Sequence, residues 1–291
     1  GIDDHTYIQC VCQRDFSFIE FSANSKSGQF FFFTHDTRCM VKTITSSEAS
    51  ALLRLIRQGY KEHLSSSEGS LLTRIFGLYQ VQLRWFNSGK PQHFMVQENV
   101  FFSPGHRFTE LFDLKGSTLG RASKTQESVQ KDNDWVAKGY SFGFEGLTRE
   151  RIKRQHQRDC EFLAACQVID YSILAGICGK SDEEEATPGT TRMKGRTGQP
   201  RVTMVLAGQK PQDLWSRLRE DFKANAGTHG PFEAHDQQVF YLGIIDFLIT
   251  WSWQKKAEYA IRTLQCRGKE ASVNPPTQYA ERQINFVRSI L

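Results

Sequence analysis

The feature that most constrains the fold is a run of short apolar β-type segments in the first hundred residues, interrupted by one helical pattern. QFFFF and RCMVKTI flank a polar turn at residues 34–36, which predicts a β-hairpin. A second hairpin is predicted where YQVQLRW and HFMVQENVFF flank NSGKP. Between the hairpins, SSEASALLRLIRQGYKEHL has apolar residues at helical spacing, with Ser46 or Ser47 as the expected cap. This part of the chain is therefore predicted to be an antiparallel sheet with one helix.

The second part of the chain mixes helical and β-type patterns. A helix is predicted from about Thr148 through ERIKRQHQRDCEFLAAC, and the apolar segment VIDYSILAGI follows it. Residues 179–235 are interpreted as a variable insert, because their first part contains few apolar side chains. FYLGIID predicts a strand, and a final helix is expected from about Thr277. The simplest arrangement is an α+β protein with two lobes, 1–100 and 101–291.

Composition narrows the class of protein. Of the 291 residues, 39% are hydrophobic, as in ordinary globular proteins, and the net charge of +5 permits an anionic partner without requiring one. Seven cysteines without a CxxC pair argue against a disulfide or zinc framework and favour a reducing compartment. Cys10 and Cys12 alternate along what is predicted to be a strand. No signal peptide pattern is present, and a chain that begins with Gly1 is compatible with one domain of a longer protein.

Two acids stand alone among apolar residues. Asp246 follows FYLGII, a strand predicted to be buried on both faces, and an unpaired buried carboxylate costs several kcal/mol. Its expected partner is a metal ion, a lysine or a helix N-terminus. Asp170, in VIDYSIL, can orient a substrate hydroxyl and take its proton, or it can cap its own loop. The residues by themselves leave these alternatives open.

Two lysines also stand in informative places. Lys42, in MVKTI, is predicted to point inward and to need an anion, either phosphate or a carboxylate such as Glu48; a lysine that extends to solvent from an edge strand is the alternative. Lys115, in FDLKGS, precedes a glycine turn and two hydroxyls, which suits a polyphosphate or an ordinary solvent loop. The order along the chain is glycine turn, strand lysine, helix glutamate, hinge, second lysine and two acids. Phosphoryl transfer from ATP needs these parts, because its chemistry is positioning and charge neutralisation around Mg²⁺.

Several motifs in this order resemble one known family. FDLKGSTLGR, IDYSILAGI and LGIIDFL, with MVKTI and the tail PPTQYAERQINFV, are similar to the phosphatidylinositol phosphate kinases over nearly the whole chain apart from the insert. The resemblance implies a two-lobed lipid-kinase fold, with an antiparallel sheet and a helix in the N-terminal lobe and a mixed sheet with helices in the C-terminal lobe. It also implies ATP and Mg²⁺ as cofactors. The HRD and DFG signatures of protein kinases are absent.

The resemblance further implies roles for individual residues. Lys42 and Lys115 would contact the ATP phosphates, with Glu48 as the partner of Lys42. Asp170 would be the catalytic aspartate that faces the inositol hydroxyl, and Asp246 would be the Mg²⁺ ligand. The other residues implied to hold the nucleotide, in the phosphate-covering turn, the hinge and the strand before the metal ligand, are Ser27, Gly28, Asn99, Val100 and Ile245.

The substrate is implied by a second group of residues. Residues 254–276 would form the activation loop, which in this family carries substrate choice and membrane contact. Lys255 and Lys256 belong to its basic segment, which would meet an anionic leaflet, and Arg121 is implied to help bind anionic groups. Glu258 is similar to the glutamate of the 4-phosphate 5-kinases, where the 5-phosphate 4-kinases have alanine. Phosphatidylinositol 4-phosphate is therefore the favoured substrate, with a 5-phosphate 4-kinase as the alternative.

The implied partners are ATP and an anionic membrane surface that contains the phosphoinositide, which the protein would reach peripherally from the cytoplasmic face. A homodimer is compatible with the resemblance, and no nucleic acid is expected. One turn departs from the family: it reads SKSGQ instead of GKSGS, and Ser25 restricts the backbone where the first glycine is usual. This departure keeps a catalytically weak, phosphoinositide-binding pseudokinase open. A kinase for soluble inositol phosphates or proteins is also open, although Trp251 and Trp253 beside the basic segment argue against it.

Overall fold

The computed structural model describes most of the chain outside the predicted insert. The described residues are 3–12, 19–21, 31–34, 36–66, 69–82, 91–103, 106, 108–118, 120–123, 129–178, 229–235, 238–265 and 274–291. They fall into two compact units, the first drawn from Gly1–Ser50 and Thr73–Gly105, the second from Ala51–Leu72, His106–Glu184 and Gly227–Leu291. The lobe boundaries 1–100 and 101–291 stay a prediction.

The first unit contains an antiparallel sheet of five strands in the order β1-β2-β3-β5-β4. Its strands are β1 (Ile19–Phe21), β2 (Phe31–Phe33), β3 (Cys39–Ile44), β4 (Ile75–Val81) and β5 (Gln92–Glu98). β2 pairs with β3 and β4 pairs with β5, so both predicted hairpins are confirmed. β3 also pairs with β5, which joins the two hairpins into one sheet.

The strand predicted around Cys10 and Cys12 is wrong, because this segment forms helix α1 (Asp4–Cys12). Asp3 accepts hydrogen bonds from Thr6 N at 3.0 Å and from Thr6 Oγ1 at 2.7 Å, so it caps the first turn. Cys10 packs in a small apolar cluster with Cys39 and Val96 of the sheet. The alternation of two cysteines was a weaker signal than the helical spacing of the apolar side chains that this cluster buries.

Helix α2 (Ser46–Arg57) begins one residue earlier than a serine cap requires. Thr45 is the cap: Thr45 Oγ1 accepts a hydrogen bond from Glu48 N at 3.2 Å, and Glu48 Oε2 accepts one from Thr45 N at 2.8 Å. This reciprocal pair is a capping box. The predicted caps Ser46 and Ser47 are therefore corrected to Thr45.

The single helix predicted over this segment is divided by a glycine. Gly59 has a φ of 97°, in the left-handed region that glycine adopts without steric cost. Helix α3 (Tyr60–Leu64) follows it, and its Tyr60 is buried. The helical spacing continues across the break, so periodicity alone did not reveal it.

The second unit contains a mixed sheet in the order β10-β11-β9-β6-β7 and a separate pair, β8 with β12. Its strands are β6 (Phe108–Leu114), β7 (Gln130–Lys131), β8 (Val168–Ile169), β9 (Ser172–Cys178), β10 (Phe232–Glu233), β11 (Val239–Ile245) and β12 (Ile249–Thr250). Its further helices are α4 (Asp132–Ala137), α5 (Gly146–Ala165), α6 (Trp253–Gln265) and α7 (Pro276–Ile290). Only β6 and β7 are parallel among the paired strands described in this sheet. The α+β class, with one antiparallel and one mixed sheet, is confirmed.

The core of the second unit is rich in aromatic side chains, all of them buried. The ring centroid of Trp135 on α4 lies 4.9 Å from that of Phe112 on β6 and 4.8 Å from that of Phe142. Phe142 in turn lies 5.3 Å from Phe240 on β11. Burial of each such side chain contributes about 1.5–3 kcal/mol, so this cluster fixes α4 and its loop against the sheet. Among the described helices, none combines the length and apolar character needed to cross a bilayer.

Candidate active site

Three neighbouring strands of the second unit carry the candidate site at one end of the sheet. β9 lies between β6 and β11 and is antiparallel to both. Leu114, the last residue of β6, faces Ile173, and Ile245, the last residue of β11, faces Ser172. The carboxyl ends of β6 and β11 therefore flank the amino end of β9, with neighbouring strands about 4.8 Å apart.

Three of the predicted site residues occupy this end of the sheet. Lys115 directly follows β6, Asp246 directly follows β11, and Asp170 lies two residues before β9. Strands that are distant in sequence thus bring one lysine and two acids to the same end of the sheet. Lys42 belongs to the first unit.

Lys115 and Asp170 form an ion pair. Lys115 Nζ donates a hydrogen bond to Asp170 Oδ1 at 2.6 Å, and the two side chains are 20% and 39% exposed. The pair is therefore reachable from solvent, unlike a structural ion pair of the core. A short charge-assisted bond of this kind holds both groups in one geometry.

Both acids adopt an unusual backbone conformation. Asp170 has a φ of 66° and Asp246 a φ of 61°, in the left-handed region that Asp and Asn tolerate better than other side chains except glycine. At these points the chain turns sharply into or out of a buried strand. Aspartate is therefore also a residue type that suits the left-handed backbone conformation at both positions.

The burial predicted for Asp246 is wrong. Its side chain is exposed, while Phe247 and Leu248 after it are buried and hold the turn. Because Asp246 lies beyond the end of β11, the cost of an unpaired buried carboxylate does not apply to it. Ile245, predicted to contact the nucleotide, is half-buried at the same strand end. Both assigned roles stay predictions.

The DLKGS turn is neither a free solvent loop nor an open phosphate cradle. Asp132 Oδ1 accepts hydrogen bonds from the backbone N–H groups of Lys115, Gly116 and Ser117, at 2.9, 2.7 and 3.3 Å. The carboxylate of the protein itself therefore occupies the backbone donors that a polyphosphate would need. From this turn the side chain of Lys115 reaches Asp170.

Arg121, predicted to bind anionic groups, is mostly buried and contacts two carboxylates. Its Nε donates to Asp132 Oδ2 at 2.7 Å, and its Nη2 lies 3.4 Å from Asp113 Oδ2 and donates to the Asp113 carbonyl oxygen. Burial acts to lower the pKa of Arg121, but the charges and hydrogen bonds of Asp113 and Asp132 outweigh it and raise this pKa. These contacts tie Arg121 to the turn; its contact with substrate stays a prediction.

Two side chains of helix α7 donate hydrogen bonds to the backbone next to Asp170 and Lys115. Tyr279 OH donates to the carbonyl oxygen of Tyr171, next to Asp170, and Gln283 Nε2 donates to that of Leu114 at 3.2 Å, next to Lys115. Burial and then the nearby Asp170 charge raise the pKa of Tyr279. The sequence predicted this helix but did not reveal the role of Tyr279 and Gln283, and it did not reveal that of Asp132. The signal for Asp132 was slight: an acid in the first turn of a short helix before Trp135.

The predicted site residues of the first unit that the structure describes are buried or form hydrogen bonds within the unit. Lys42 is 7% exposed, as the inward orientation predicted, and its Nζ lies 5.3 Å from the centre of the Phe31 ring. Asn99 Nδ2 donates to Thr37 O at 2.8 Å, and Val100 is buried. Glu48 is hydrogen-bonded to Thr45 in the capping box of α2, and its pairing with Lys42 stays a prediction. Ser27 and Gly28 lie outside the described residues.

The first part of the predicted activation loop is helix α6. Lys255 Nζ donates to Glu258 Oε2 at 2.8 Å, one turn along the helix. Lys256 is exposed, and Trp253 is 77% exposed at the start of the helix. The (i, i+3) spacing of Lys255 and Glu258 favours a helix. The interpretation of this segment as a basic loop did not take that spacing into account.

An α+β fold with a lysine–aspartate pair and a further acid at one sheet end defines a candidate phosphotransferase. The chain matches the family model described as Phosphatidylinositol-4-phosphate 5-Kinase over residues 12–290. The chain therefore belongs to this family, and the resemblance to the phosphatidylinositol phosphate kinases is confirmed.

Relatives in three organisms extend along nearly the whole chain. Phosphatidylinositol 4-phosphate 5-kinase 7 of Arabidopsis thaliana is 29% identical over 99% of this chain and 45% of its own length. Phosphatidylinositol 4-phosphate 5-kinase its3 of Schizosaccharomyces pombe is 29% identical over 93% and 41%. A probable phosphatidylinositol phosphate kinase of Dictyostelium discoideum is 30% identical over 100% and 45%. The chain spans less than half the length of these relatives.

Proposed function

We propose that the protein transfers the γ-phosphate of ATP to the inositol ring of a phosphatidylinositol monophosphate. The favoured substrate is phosphatidylinositol 4-phosphate, which would become the 4,5-bisphosphate. The observation that carries this proposal is the meeting of Lys115, Asp170 and Asp246 at one end of one sheet, with Lys115 Nζ 2.6 Å from Asp170 Oδ1. Membership of the family and the names of the relatives support it.

Asp170 is assigned the role of general base. Its carboxylate is 39% exposed, so an inositol hydroxyl can approach the oxygen that Lys115 leaves open. A base that takes the hydroxyl proton at that oxygen contributes about 10²–10⁴-fold to the rate. Lys115 holds the carboxylate in place and brings a positive charge to the position where phosphate oxygens would lie.

The remaining acid fits a magnesium ion. Asp246 is an exposed residue, and Mg²⁺ is usually held by one or two carboxylates together with substrate phosphates and water. In the described part of the chain, no group of three or more His, Cys, Asp and Glu side chains forms a larger metal site. Bound Mg²⁺ would neutralise charge on the ATP phosphates. In the first unit, Lys42 and the Asn99–Val100 hinge are proposed to hold the nucleotide, on the strength of the family pattern.

The choice of lipid is proposed to lie in helix α6. Glu258 forms an ion pair with Lys255, so its carboxylate has a defined position from which to contact the lipid headgroup. Lys256 and Trp253 are exposed side chains of the kinds that favour an anionic membrane interface. We therefore propose that the protein acts peripherally on the cytoplasmic face of membranes.

The proposal is tested with labelled ATP and Mg²⁺ in separate arms, each with vesicles that contain one phosphatidylinositol monophosphate isomer or with soluble inositol phosphates. Label should enter the 4-phosphate lipid fastest, and the product should be the 4,5-bisphosphate. Transfer mainly to the 5-phosphate lipid would assign the alternative 4-kinase activity, and transfer mainly to soluble inositol phosphates would exclude a lipid substrate. Binding to the vesicles without transfer in any arm would indicate a pseudokinase.

A further inference from the structure

The turn after β6 binds a buried carboxylate from the start of helix α4, to which the proposed phosphotransfer assigns no role. Asp132 is 0% exposed. Its Oδ1 receives three consecutive backbone N–H groups, those of residues 115–117, at 2.9, 2.7 and 3.3 Å. Its Oδ2 receives Arg121 Nε at 2.7 Å. Successive N–H groups that converge in this way form an anion-binding concavity, and here the anion is supplied by the chain itself.

This carboxylate fixes the backbone from which Lys115 extends. A lysine side chain is a flexible four-carbon stem, so the place of its ammonium group depends on how firmly its backbone is held. Gly116 has a φ of 64°, and a Cβ at this residue would lie 3.0 Å from Phe286 Cβ of α7. The turn is thus held by Asp132 on one side and packed against α7 on the other. From this fixed origin Lys115 Nζ reaches Asp170 Oδ1.

We propose that Asp132 is a positioning residue, which preorganises the turn so that the Lys115 ammonium is held against Asp170. The effect on turnover rests on the proposed function, whereas the effect on the Lys115 side chain does not. Asp132 touches none of the reacting atoms and acts through Lys115. Misplacement of a catalytic group by about 1 Å can cost about 100-fold in rate, so the loss of this anchor has a measurable consequence.

The chain offers a matched control on the same helix. Asp134 also accepts two backbone N–H bonds, from Ser123 and Lys131, both at 2.9 Å. Its bonds hold the start of α4 and do not reach residues 115–117. The substitution Asp134→Asn therefore removes a carboxylate that accepts backbone N–H groups on the same helix, without removing any hydrogen bond to residues 115–117.

The first experiment measures how fast an acylating reagent modifies Lys115 in the folded protein, by mass spectrometry with Lys138 as internal reference. Asp132→Asn should raise the rate by about threefold or more, because loosening the pair exposes the amine and frees it from its carboxylate. Asp170→Asn should raise it as well, and Asp134→Asn should leave it unchanged. An unchanged rate for Asp132→Asn beside a raised rate for Asp170→Asn would overturn the proposal. If Asp132→Asn does not fold, Asp132→Glu moves the carboxylate by one methylene and is held to the same criterion.

The second experiment measures the coupling of Asp132 to Lys115 in turnover. Asp132→Asn should lower kcat about tenfold in the native background. In a Lys115→Arg background the same change should lower kcat by less than about twofold, because residues that act through one another are not additive. Equal factors in both backgrounds would assign Asp132 a purely structural role.

The two experiments separate the two proposals. Labelling that changes as expected in a protein without kinase activity would reject the proposed function and keep the positioning role. Conversely, the native protein can be an active kinase while Asp132→Asn changes neither the labelling rate of Lys115 nor the coupling in turnover. That result would keep the proposed function and reject the positioning role.

Discussion

Replacement of Asp170 by asparagine is the sharpest test of the assigned chemistry. Asparagine has nearly the same shape, and it tolerates the φ of 66° at this residue as well as aspartate does. The change therefore removes the basic oxygen and its charge without adding backbone strain. Alanine is a poorer choice, because a left-handed conformation costs it about 1–2 kcal/mol.

The structure sets the expected magnitudes. Asp170→Asn removes the ion pair with Lys115, in which the Lys115 side chain is 20% exposed and that of Asp170 39% exposed. Partly solvated ion pairs contribute about 0–1 kcal/mol to the free energy of unfolding. The free energy of unfolding should therefore fall by no more than about 1 kcal/mol. Turnover should fall by about 10²–10⁴-fold, the contribution of a general base.

Two measurements are made on the same purified protein. Urea unfolding followed by tryptophan fluorescence gives the free energy of unfolding, and phosphate transfer to lipid vesicles gives kcat and KM. Asp134→Asn is the control, because Asp134 lies outside the sheet end that carries Asp170. Near-normal kcat for Asp170→Asn would show that Asp170 is not the base. A loss of unfolding free energy above about 3 kcal/mol would show that its role is structural.

Four further predictions concern stability, substrate choice and membrane binding. Gly116→Ala should lower the free energy of unfolding by about 1–3 kcal/mol through left-handed strain and contact with α7, as urea unfolding will show; an unchanged value would mean that the turn can rearrange. Asp159→Ala should cost about 3–5 kcal/mol in the same assay, because its fully buried carboxylate accepts three hydrogen bonds, and a loss below about 1 kcal/mol would contradict this. Glu258→Ala should shift the ratio of kcat/KM values toward phosphatidylinositol 5-phosphate by about tenfold; an unchanged product profile would remove Glu258 as the determinant. Replacing Lys255 and Lys256 by alanine should weaken binding to anionic vesicles about tenfold at unchanged KM for ATP, whereas equal losses in both would indicate damage to the fold.

Much of the fold follows from local patterns in the sequence. Alternating and continuous apolar runs predicted both hairpins and β11, and helical spacing predicted α5 and α7, because each pattern reports a short-range geometry with its own period. The exceptions were also local. Gly59 ended a helix within an unbroken pattern, and Thr45 replaced the predicted serine caps, because caps and breaks depend on single backbone conformations.

The sequence by itself also identified Lys115, Asp170 and Asp246 as unusual residues, and their motifs indicated the family. It did not show what they contact. Lys115 and Asp170 are 55 residues apart in sequence, and only the pairing of β6, β9 and β11 brings them to one edge. The exposure of Asp246 and the capture of the DLKGS turn by Asp132 likewise depend on where distant segments meet. Local periodicity determines which elements form, whereas the partners of a charged side chain are set by strand register and packing, which only the tertiary structure decides.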